Sequence, residues 1–383
     1  MQFSKNNPIS LALPCLYSEL YGKALPKILK ELSQVHYIQE IIIGLDKADY
    51  SKYKKACSYF SHLPQHCRIL WLHNPELLSW EKELFGEEST IQPYGKGRNV
   101  WYCFGYFLAS DRSKTLVLHD CDINTYHRSL LARLVYPVVD PRLNYNFCKG
   151  YYYRADNEKL NGRVTRLLVS PLIRALQKIF SSDQFLSFFN SFRYPLAGEF
   201  AVSADIVNSM QLIGNWGLEI SVLAEIFRLT HSTKTCQVDI ADRYDHKHQK
   251  LSYADPRSGL SQMSSDIVNT IIIKLAAQGS IISYDTCRVV CDAYRSFAYD
   301  LIYKYSHDAI INGLDYDIQS EQKMIHLFAE NIYNAGVGSM NSKTENSYFF
   351  PSWKTIKAQS EYLLPDLYTI IEAGNIPAAC CFS

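Results

Sequence analysis

The sequence has few of the features that place a protein in a membrane, in an oxidising compartment or on nucleic acid. None of its apolar runs approaches the roughly 18 residues that a membrane-spanning helix requires. The 39 Lys and Arg residues nearly balance the 38 Asp and Glu residues, and a net charge of +1 argues against a broad surface for nucleic acid or anionic membranes. The start of the sequence lacks the apolar core of a secretory signal, so we expect a cytoplasmic protein.

The 11 cysteines form no CxxC pair and are odd in number. We therefore expect reduced thiols rather than a disulfide framework or a structural zinc site.

Short apolar runs alternate with longer periodic segments in the first part of the chain. We expect strands at residues 9–13, 40–45, 68–72 and 115–119, and helices at residues 19–32, 50–60 and 97–110. This alternation predicts an α/β protein with a mostly parallel sheet flanked by helices. Functional residues should then lie beyond the carboxyl ends of the strands.

The last third of the sequence is mostly helical by its periodicity. The periodic segments cover residues 265–278, 285–312 and 318–335, and each is followed by a glycine, which is typical of a helix end. We expect one domain at residues 1–250 and a mostly helical C-terminal region at residues 251–383 that packs on it.

The clearest local signal is the pair of carboxylates in residues 119–122 (HDCD), directly after a buried apolar run. Asp120 and Asp122 are costly to hold together unless a positive charge lies between them. A divalent cation that bridges to a diphosphate would supply that charge, since hard cations prefer carboxylate and phosphate oxygens. The alternative is a turn whose aspartates cap the next helix.

Two further segments carry groups suited to a phosphate or a metal ion. In residues 94–99 (YGKGRN), Lys96 lies between glycines at the start of a helix, where an anion is favoured, although the Walker A spacing is absent. In residues 244–249 (YDHKHQ), His246 and His248 point the same way if the segment is extended, and either is a candidate metal ligand. The alternatives are an ordinary glycine turn and surface histidines.

Three segments suit a small acid or a sugar. Residues 161–166 (NGRVTR) offer arginine and threonine beside a glycine, as a bound phosphate or carboxylate requires. Residues 195–199 (PLAGE) and 216–219 (WGLE) each place a carboxylate and a small residue near aromatic residues, as a sugar pocket would. A solvated helix start and packed loops are the alternatives.

The order of these segments is more specific than any one of them. LPCL at residues 13–16, then GKG, DxD, GRVT, PLAGE, GLE, QVD at residues 237–239 and the histidine pair resemble the glucosyl-3-phosphoglycerate synthases and the related mannosyl-3-phosphoglycerate synthases. The resemblance covers about residues 8–250. It implies a GT-A fold, which is Rossmann-like, with residues 1–250 as the catalytic domain.

The resemblance also implies an activity. It is that of a metal-dependent retaining glycosyltransferase, which moves glucose from a nucleotide-sugar donor, UDP-glucose, to 3-phosphoglycerate or a similar small acid. The cofactor would be Mg²⁺ or Mn²⁺, and the enzyme would form a homodimer.

The resemblance implies roles for individual residues. The catalytic residues would be Glu219, Asp122 and Lys96. The metal ligands would be Asp122, His246 and Asp120. The acceptor would be bound by Gly162, Arg163, Thr165, Gly198 and His248. The donor would be bound by Pro14, Cys15, Leu16, Glu19, Lys96, Asp120, Cys121, Leu196 and Ala197.

Three departures from the family pattern leave alternatives open. Tyr17-Ser18 replaces an Asn-Glu pair, with Glu19 as a substitute, Asp46 is what remains of an aspartate-rich turn, and His248 stands where asparagine is expected. Mannosyl transfer, an ADP- or GDP-linked donor, another acceptor and a non-catalytic nucleotide-sugar-binding protein therefore stay open. So does the choice between same-face attack, which we favour, and a carboxylate nucleophile.

Four tyrosines of the C-terminal region either form a dimer contact or cover the sheet. They are Tyr294, Tyr299, Tyr303 and Tyr305.

Overall fold

The computed structural model describes residues 3–86, 95–156, 159–181, 183–242, 244–245, 259–341 and 349–375. The strands are β1 (Ile9–Leu16), β2 (Ile38–Asp46), β3 (His66–Trp71), β4 (Thr115–Leu118), β5 (Phe147–Tyr152), β6 (Ala155–Asp156), β7 (Lys159–Leu160), β8 (Phe200–Ser203), β9 (Leu212–Ile213), β10 (Thr235–Ala241) and β11 (Phe349–Phe350). The helices are α1 (Ala24–Leu32), α2 (Tyr50–Phe60), α3 (Pro75–Phe85), α4 (Lys96–Ser110), α5 (Arg128–Val139), α6 (Ser170–Ile179), α7 (Gln184–Asn190), α8 (Ala204–Ser209), α9 (Leu218–Leu229), α10 (Gly259–Ala277), α11 (Tyr284–Ile311), α12 (Ile318–Asn341), α13 (Trp353–Gln359) and α14 (Leu363–Asn375).

Seven strands form the central sheet in the order β10-β5-β8-β4-β1-β2-β3. Neighbouring strands are parallel except β8, which is antiparallel to both β4 and β5. This confirms the predicted α/β architecture. Because β8 runs the opposite way, its amino end lies at the same edge as the carboxyl ends of β1, β4, β5 and β10. The segments that follow those strands and the loop that precedes β8 therefore meet at one edge.

The five inner strands are mostly buried on both faces, as in sheets that are covered by helices on each side, whereas the edge strands β3 and β10 are partly exposed. All four residues of β4 are buried. Side chains alternate between the faces, so that Ala12 and Ile42 belong to one hydrophobic core while Leu13 and Ile43 belong to the other. Helices cover the two faces, with α4 and the C-terminal helices on one and α1, α2 and α5 on the other.

The predicted helices are largely confirmed, with two corrections. The helix expected at residues 19–32 begins at Ala24, because a 3₁₀ turn (Tyr17–Tyr21) ending before Gly22 precedes it. The helix expected to end before Gly336 continues to Asn341. A Cβ at Gly336 would lie 2.5 Å from Cys287 Sγ, so this glycine lets α12 pack closely on α11 and is not a helix stop.

The C-terminal helices pack directly on the sheet-bearing part of the chain. One hydrophobic core contains Phe104 of α4 together with Ile267 of α10. Arg166 forms a buried ion pair with Glu321 of α12, with Nη2 2.6 Å from Oε1. Tyr294 is fully buried and its hydroxyl donates to Leu167 O at 2.7 Å, so this tyrosine covers the core. The division at residue 250 stays a prediction.

The last helix covers an edge of the sheet. Asn375 at the end of α14 exchanges two hydrogen bonds with the backbone of Ile69 in the edge strand β3. Across the ranges given above, no helix is both long enough and apolar enough to cross a membrane. The nine cysteines of those ranges are free thiols.

Candidate functional site

Three predicted residues from distant parts of the chain meet in one ionic cluster. Lys96 Nζ lies 2.6 Å from Asp120 Oδ1 and 2.9 Å from Glu219 Oε1. Each of the three side chains keeps some exposure, between 14% and 25%. Burial alone would lower the pKa of Lys96, but the charges of Asp120 and Glu219 raise it well above its ordinary value. Lys96 is therefore a permanent cation here, with one of its three protons left for a ligand.

The sequence predicts that the glycines on both sides of Lys96 leave the backbone free to approach a phosphate, but the structure gives them another role. A Cβ at Gly97 would lie 1.8 Å from Ile213 O, and one at Gly95 would lie 2.8 Å from Gly214 O. The space beside these glycines is thus filled by the backbone at the end of β9 rather than left open for a phosphate. This close approach brings the start of α4 toward the segment that leads into α9, where Glu219 lies in the first turn.

A C-terminal helix supports the start of α9. Gly217 precedes that helix, and a Cβ there would lie 1.9 Å from Thr270 Oγ1 of α10. The position of Glu219 therefore depends on residues beyond 250, which the predicted domain division placed outside the catalytic part.

The loop before β8 closes over the cluster at Gly198. A Cβ at this position would lie 2.5 Å from Asp120 Oδ2 and 2.9 Å from Lys96 Nζ. Ala197 is fully buried and Leu196 is partly buried. The structure thus joins the predicted residues of the PLAGE segment to Asp120, Lys96 and Glu219.

Asp122 lies at the acidic side of the site. Burial first, and then the nearby charge of Asp120, raise the pKa of Asp122 to about 7, and Glu19 adds to this effect. Three carboxyl groups, Asp120, Asp122 and Glu19, thus share a partly buried region with Lys96 as the neighbouring cation. Carboxylate oxygens crowded in this way fit the ligand preference of Mg²⁺ or Mn²⁺.

The third predicted metal ligand, His246, and the acceptor candidate His248 lie outside the described residues. Within the described ranges, no group of three or more His, Cys, Asp or Glu side chains is arranged to hold a metal ion. Asp245 lies close to the acidic segment. It accepts one hydrogen bond from the side chain of Asn124 at 2.7 Å and another from the backbone N–H of Asn124 at 2.8 Å. Asn124 is two residues after Asp122.

The predicted donor residues of the first strand lie at the carboxyl end of β1. Pro14, Cys15 and Leu16 pair with the end of β2, where Leu16 is opposite Asp46. Leu16 is exposed, whereas Cys15 is buried. A hydrogen bond with Cys15 and burial raise the pKa of Cys121 well above its ordinary value, so Cys121 contacts Cys15 and is an uncharged thiol.

The predicted acceptor segment opens a π-helix (Val164–Val169), a rare form that is frequent at functional sites. Gly162 has a φ of 76°, which a side chain would strain. Thr165 is buried and its hydroxyl makes no hydrogen bond within the described chain, whereas Arg163 is exposed. The structure does not bring Arg163 into contact with the ionic cluster.

A row of aromatic rings, missed by the sequence analysis, joins the acceptor segment to the cluster. A Cβ at Gly162 would lie 3.3 Å from Tyr194 OH. The ring of Tyr194 lies 4.9 Å from that of Tyr152, which stacks on Tyr244 with 3.5 Å between centroids. Tyr244 OH donates to Glu199 Oε1 at 2.5 Å. Tyr244 and Glu199 are 45 residues apart in the sequence, and no local pattern indicated this contact.

Arg154 lies along this row and was also missed. Its Nη1 donates to Tyr194 OH at 3.3 Å, while its buried Nε has no hydrogen-bond partner within the described chain. No carboxylate of the described residues forms an ion pair with it. A guanidinium in this state is suited to bind an anion.

Two buried ionisable groups lie beneath the cluster. Glu199 is fully buried, and burial together with the charge of Asp120 raises its pKa to about 7. Lys149 is fully buried as well, and burial lowers its pKa to about 8. Sequence reasoning had no local signal for Lys149, since it occurs inside a strand.

The chain is similar to known proteins over most of its length. No model of a known protein family matches the chain. The glucosyl-3-phosphoglycerate synthase of Persephonella marina is 40% identical over 333 residues, which is 87% of this chain and 82% of that protein. The enzyme of the same name from Methanococcoides burtonii is 35% identical over 336 residues, which is 86% of this chain and 82% of that protein.

Solved structures show the same fold. Mannosyl-3-phosphoglycerate synthase from Rubrobacter xylanophilus matches 73% of this chain and 79% of its own with a TM-score of 0.54 and 20% identity. Glucosyl-3-phosphoglycerate synthase from Mycobacterium tuberculosis, in complex with Mn²⁺, UDP and phosphoglyceric acid, matches 71% of this chain and 80% of its own with a TM-score of 0.51 and 21% identity. The predicted GT-A fold is confirmed, and the long matches above 30% identity show that the chain belongs to the glucosyl-3-phosphoglycerate synthase family of glycosyltransferases.

Proposed function

We propose that this protein transfers glucose from UDP-glucose to 3-phosphoglycerate with retention of the anomeric configuration, and that the reaction depends on a divalent cation. The observation that carries the proposal is the contact of Lys96 with both Asp120 and Glu219, beside Asp122. These groups offer a cation, hydrogen-bond acceptors for sugar hydroxyls and ligands for a metal in one place. The relatives named glucosyl-3-phosphoglycerate synthase support the glucosyl group and the acceptor, and the solved structure with Mn²⁺, UDP and phosphoglyceric acid supports the nucleotide of the donor.

Asp120, Asp122 and His246 would hold the cation. Mg²⁺ or Mn²⁺ would neutralise the negative charge that develops on the diphosphate as it leaves. The raised pKa of Asp122 supports this assignment, since a positive charge there would relieve its repulsion by Asp120. The described position of Asp245, bonded to Asn124, is consistent with His246 as the third ligand.

Lys96 would stabilise the leaving group directly. Its pKa is raised, so it stays charged, and its remaining N–H group would donate a hydrogen bond to a phosphate oxygen. Glu219 accepts a hydrogen bond from Lys96 at 2.9 Å, which reduces its strength as a nucleophile. We therefore assign Glu219 to orienting the sugar hydroxyls. The acceptor hydroxyl would attack the anomeric carbon from the face that the diphosphate leaves, and its proton would pass to a departing diphosphate oxygen.

The acceptor would lie between the π-helix and the aromatic row. Gly162 and Thr165 would offer the backbone and a free hydroxyl, and Arg154 and Arg163 would offer positive charge for the phosphate or carboxylate. Gly198 and Ala197 would separate this acceptor from the donor sugar. Pro14, Cys15 and Leu16 would contact the uracil, with Cys121 beneath it.

Incubation with candidate donors and Mn²⁺ tests the proposal. We expect UDP-glucose and 3-phosphoglycerate to give a glucosylated product, whose anomeric proton coupling in early NMR spectra shows the α configuration. Alternative substrates are tested in parallel. The alternative donors are GDP-glucose, ADP-glucose and GDP-mannose, and the alternative acceptors are glycerate and glycerol 3-phosphate. Faster transfer from GDP-mannose would replace glucose by mannose in the proposal, and absence of any transfer or donor hydrolysis would favour a binding protein. A glycosylated Glu219 peptide in mass spectra would overturn same-face attack.

A further inference from the structure

Lys149 is a buried cation in β5, the second strand from one edge of the sheet. It lies in β5 between Phe200 of β8 and Gln237 of β10, and it is fully buried. Its Nζ donates to Ala197 O at 2.5 Å. Within the described ranges no carboxylate lies within ion-pair distance of this ammonium, so the backbone carbonyl is its direct partner.

The cost of burying this group points to a role beyond folding. An ammonium without a paired carboxylate in an apolar strand is unfavourable, and an apolar side chain would fill the same space at less cost. Three carboxylates face it at longer range, and they belong to the site: Glu219, Glu199 and Asp120. Their charges favour the protonated lysine and partly offset its burial.

The partner of Lys149 belongs to the loop that closes over the ionic cluster. Ala197 is fully buried, and its N–H donates to Tyr194 O at 3.2 Å. The next residue, Gly198, packs against Asp120 and Lys96 so closely that no side chain fits. Movement of Ala197 O would therefore move the backbone that packs against Asp120 and Lys96, and Lys96 in turn holds Glu219.

We propose that Lys149 is a positioning residue, which fixes the loop of residues 195–199 through Ala197 O and so determines where the donor sugar lies against Asp120 and Glu219. The inference rests on the proposed function, because it takes a nucleotide-sugar as the ligand. It assigns Lys149 no contact with the substrate.

The experiment compares the binding of UDP with that of UDP-glucose, in the presence of Mn²⁺, by calorimetry of the full chain. UDP lacks the sugar, so displacement of the loop of residues 195–199 should weaken the binding of UDP-glucose and leave the binding of UDP unchanged. For Lys149→Met we expect the ratio of the two dissociation constants (UDP-glucose to UDP) to rise at least 5-fold and kcat to fall at least 10-fold, with UDP affinity and stoichiometry unchanged. For Lys149→Gln, whose amide is a shorter donor, we expect the same change at about half that size or less.

Lys274→Met is the matched control. Lys274 Nζ is also largely buried and lies 2.7 Å from Glu225 Oε1, and within the described ranges it forms no ion pair with Asp120 or Glu219. Its loss should lower the melting temperature and leave the ratio unchanged. An unchanged ratio in the Lys149 variants, or equal weakening of UDP and UDP-glucose, would overturn the positioning role. If Lys149→Met does not fold, Lys149→Gln decides alone by the same ratio. If the wild-type protein does not bind UDP-glucose, the proposed donor is wrong. The experiment therefore distinguishes failure of the proposed function from failure of the positioning role of Lys149.

Discussion

Gly198 packs against Asp120 so closely that a Cβ at position 198 would lie 2.5 Å from Asp120 Oδ2. The same Cβ would lie 2.9 Å from Lys96 Nζ. A methyl group at this position must therefore displace the ion pair or the loop, although the backbone of Gly198 itself needs no unusual conformation.

Gly198→Ala is expected to lower kcat by about 10²-fold, because a displacement of about 1 Å at a reacting centre costs a factor of this size. The melting temperature should change little. Steady-state rates with UDP-glucose and 3-phosphoglycerate measure the effect. Gly338→Ala in α12 is the matched control, since a Cβ there would meet nothing within 4 Å, and its rates should equal those of the wild type. Wild-type rates in Gly198→Ala would show that this loop does not limit the site.

Asp122→Asn is expected to abolish transfer and to stabilise the metal-free protein. The neighbouring charge of Asp120 and burial raise the pKa of Asp122, so its charged form is unfavourable at neutral pH and a neutral amide should fit better. We expect a melting temperature higher by about 1–4 °C in EDTA, which corresponds to about 1 kcal/mol.

Added Mn²⁺ separates stability from function in the same variant. It should raise the melting temperature of the wild type and leave that of Asp122→Asn unchanged, because bound ligands stabilise the folded state. Asp205→Asn, at the start of α8, serves as a control for the loss of one carboxylate. Retained activity or a retained Mn²⁺ shift in Asp122→Asn would remove Asp122 from the metal site.

The sequence allowed prediction of four of the seven strands of the sheet, β1 to β4, and of the acidic part of the site, since these patterns are local. Asp120 and Asp122 follow an apolar strand in the printed sequence, and a strand end is readable from a few residues. The pairing of Lys96 with Glu219 spans 123 positions and depends on the crossing of α4 and β9, which no short segment encodes.

The residues that were missed share one property: their function depends on what lies across the sheet. Lys149 and Arg154 occur in or just after a strand whose pattern predicts only burial. Gly336 was wrongly predicted to end a helix. A glycine after a periodic run has the same sequence pattern whether it ends a helix or lets another helix pack closely against it.

Arg154→Gln is expected to raise KM for 3-phosphoglycerate about 10- to 100-fold, with KM for UDP-glucose nearly unchanged. The guanidinium has a buried Nε without a partner in the described chain, so its loss removes a charge-assisted contact, worth about 1.5–3 kcal/mol, rather than a structural bond. Arg288→Gln is the control, because Arg288 is 72% exposed and pairs with Asp285 on the surface of α11. Equal KM changes for both substrates would show that Arg154 supports the fold of the site instead of the acceptor.

Glu40→Gln is expected to change how stability depends on pH, far from the active site. Glu40 is fully buried near the amino end of β2, where Ser10 and Ser110 donate to Oε2 at 3.0 and 3.1 Å. Burial raises its pKa to about 7, although both serines, and Arg112 at 3.5 Å, favour the charged form. Burial also lowers the pKa of the neighbouring His66, so that this ring is neutral above pH 6.5.

The raised pKa fixes the direction of the effect. Between pH 4.5 and about 7 the folded protein holds a proton on Glu40 that the unfolded chain releases, so this group's contribution to stability is full below pH 4.5 and is lost as pH rises through 7. Gln cannot titrate, so the variant does not lose this contribution. The difference in the free energy of unfolding, variant minus wild type, should therefore be about 1–3 kcal/mol larger at pH 8 than at pH 5. Urea unfolding at both pH values measures this difference. Glu361 is an exposed glutamate before α14, so for Glu361→Gln this difference should not change with pH. If the difference for Glu40→Gln is also constant between pH 5 and pH 8, the pKa of Glu40 lies outside this range.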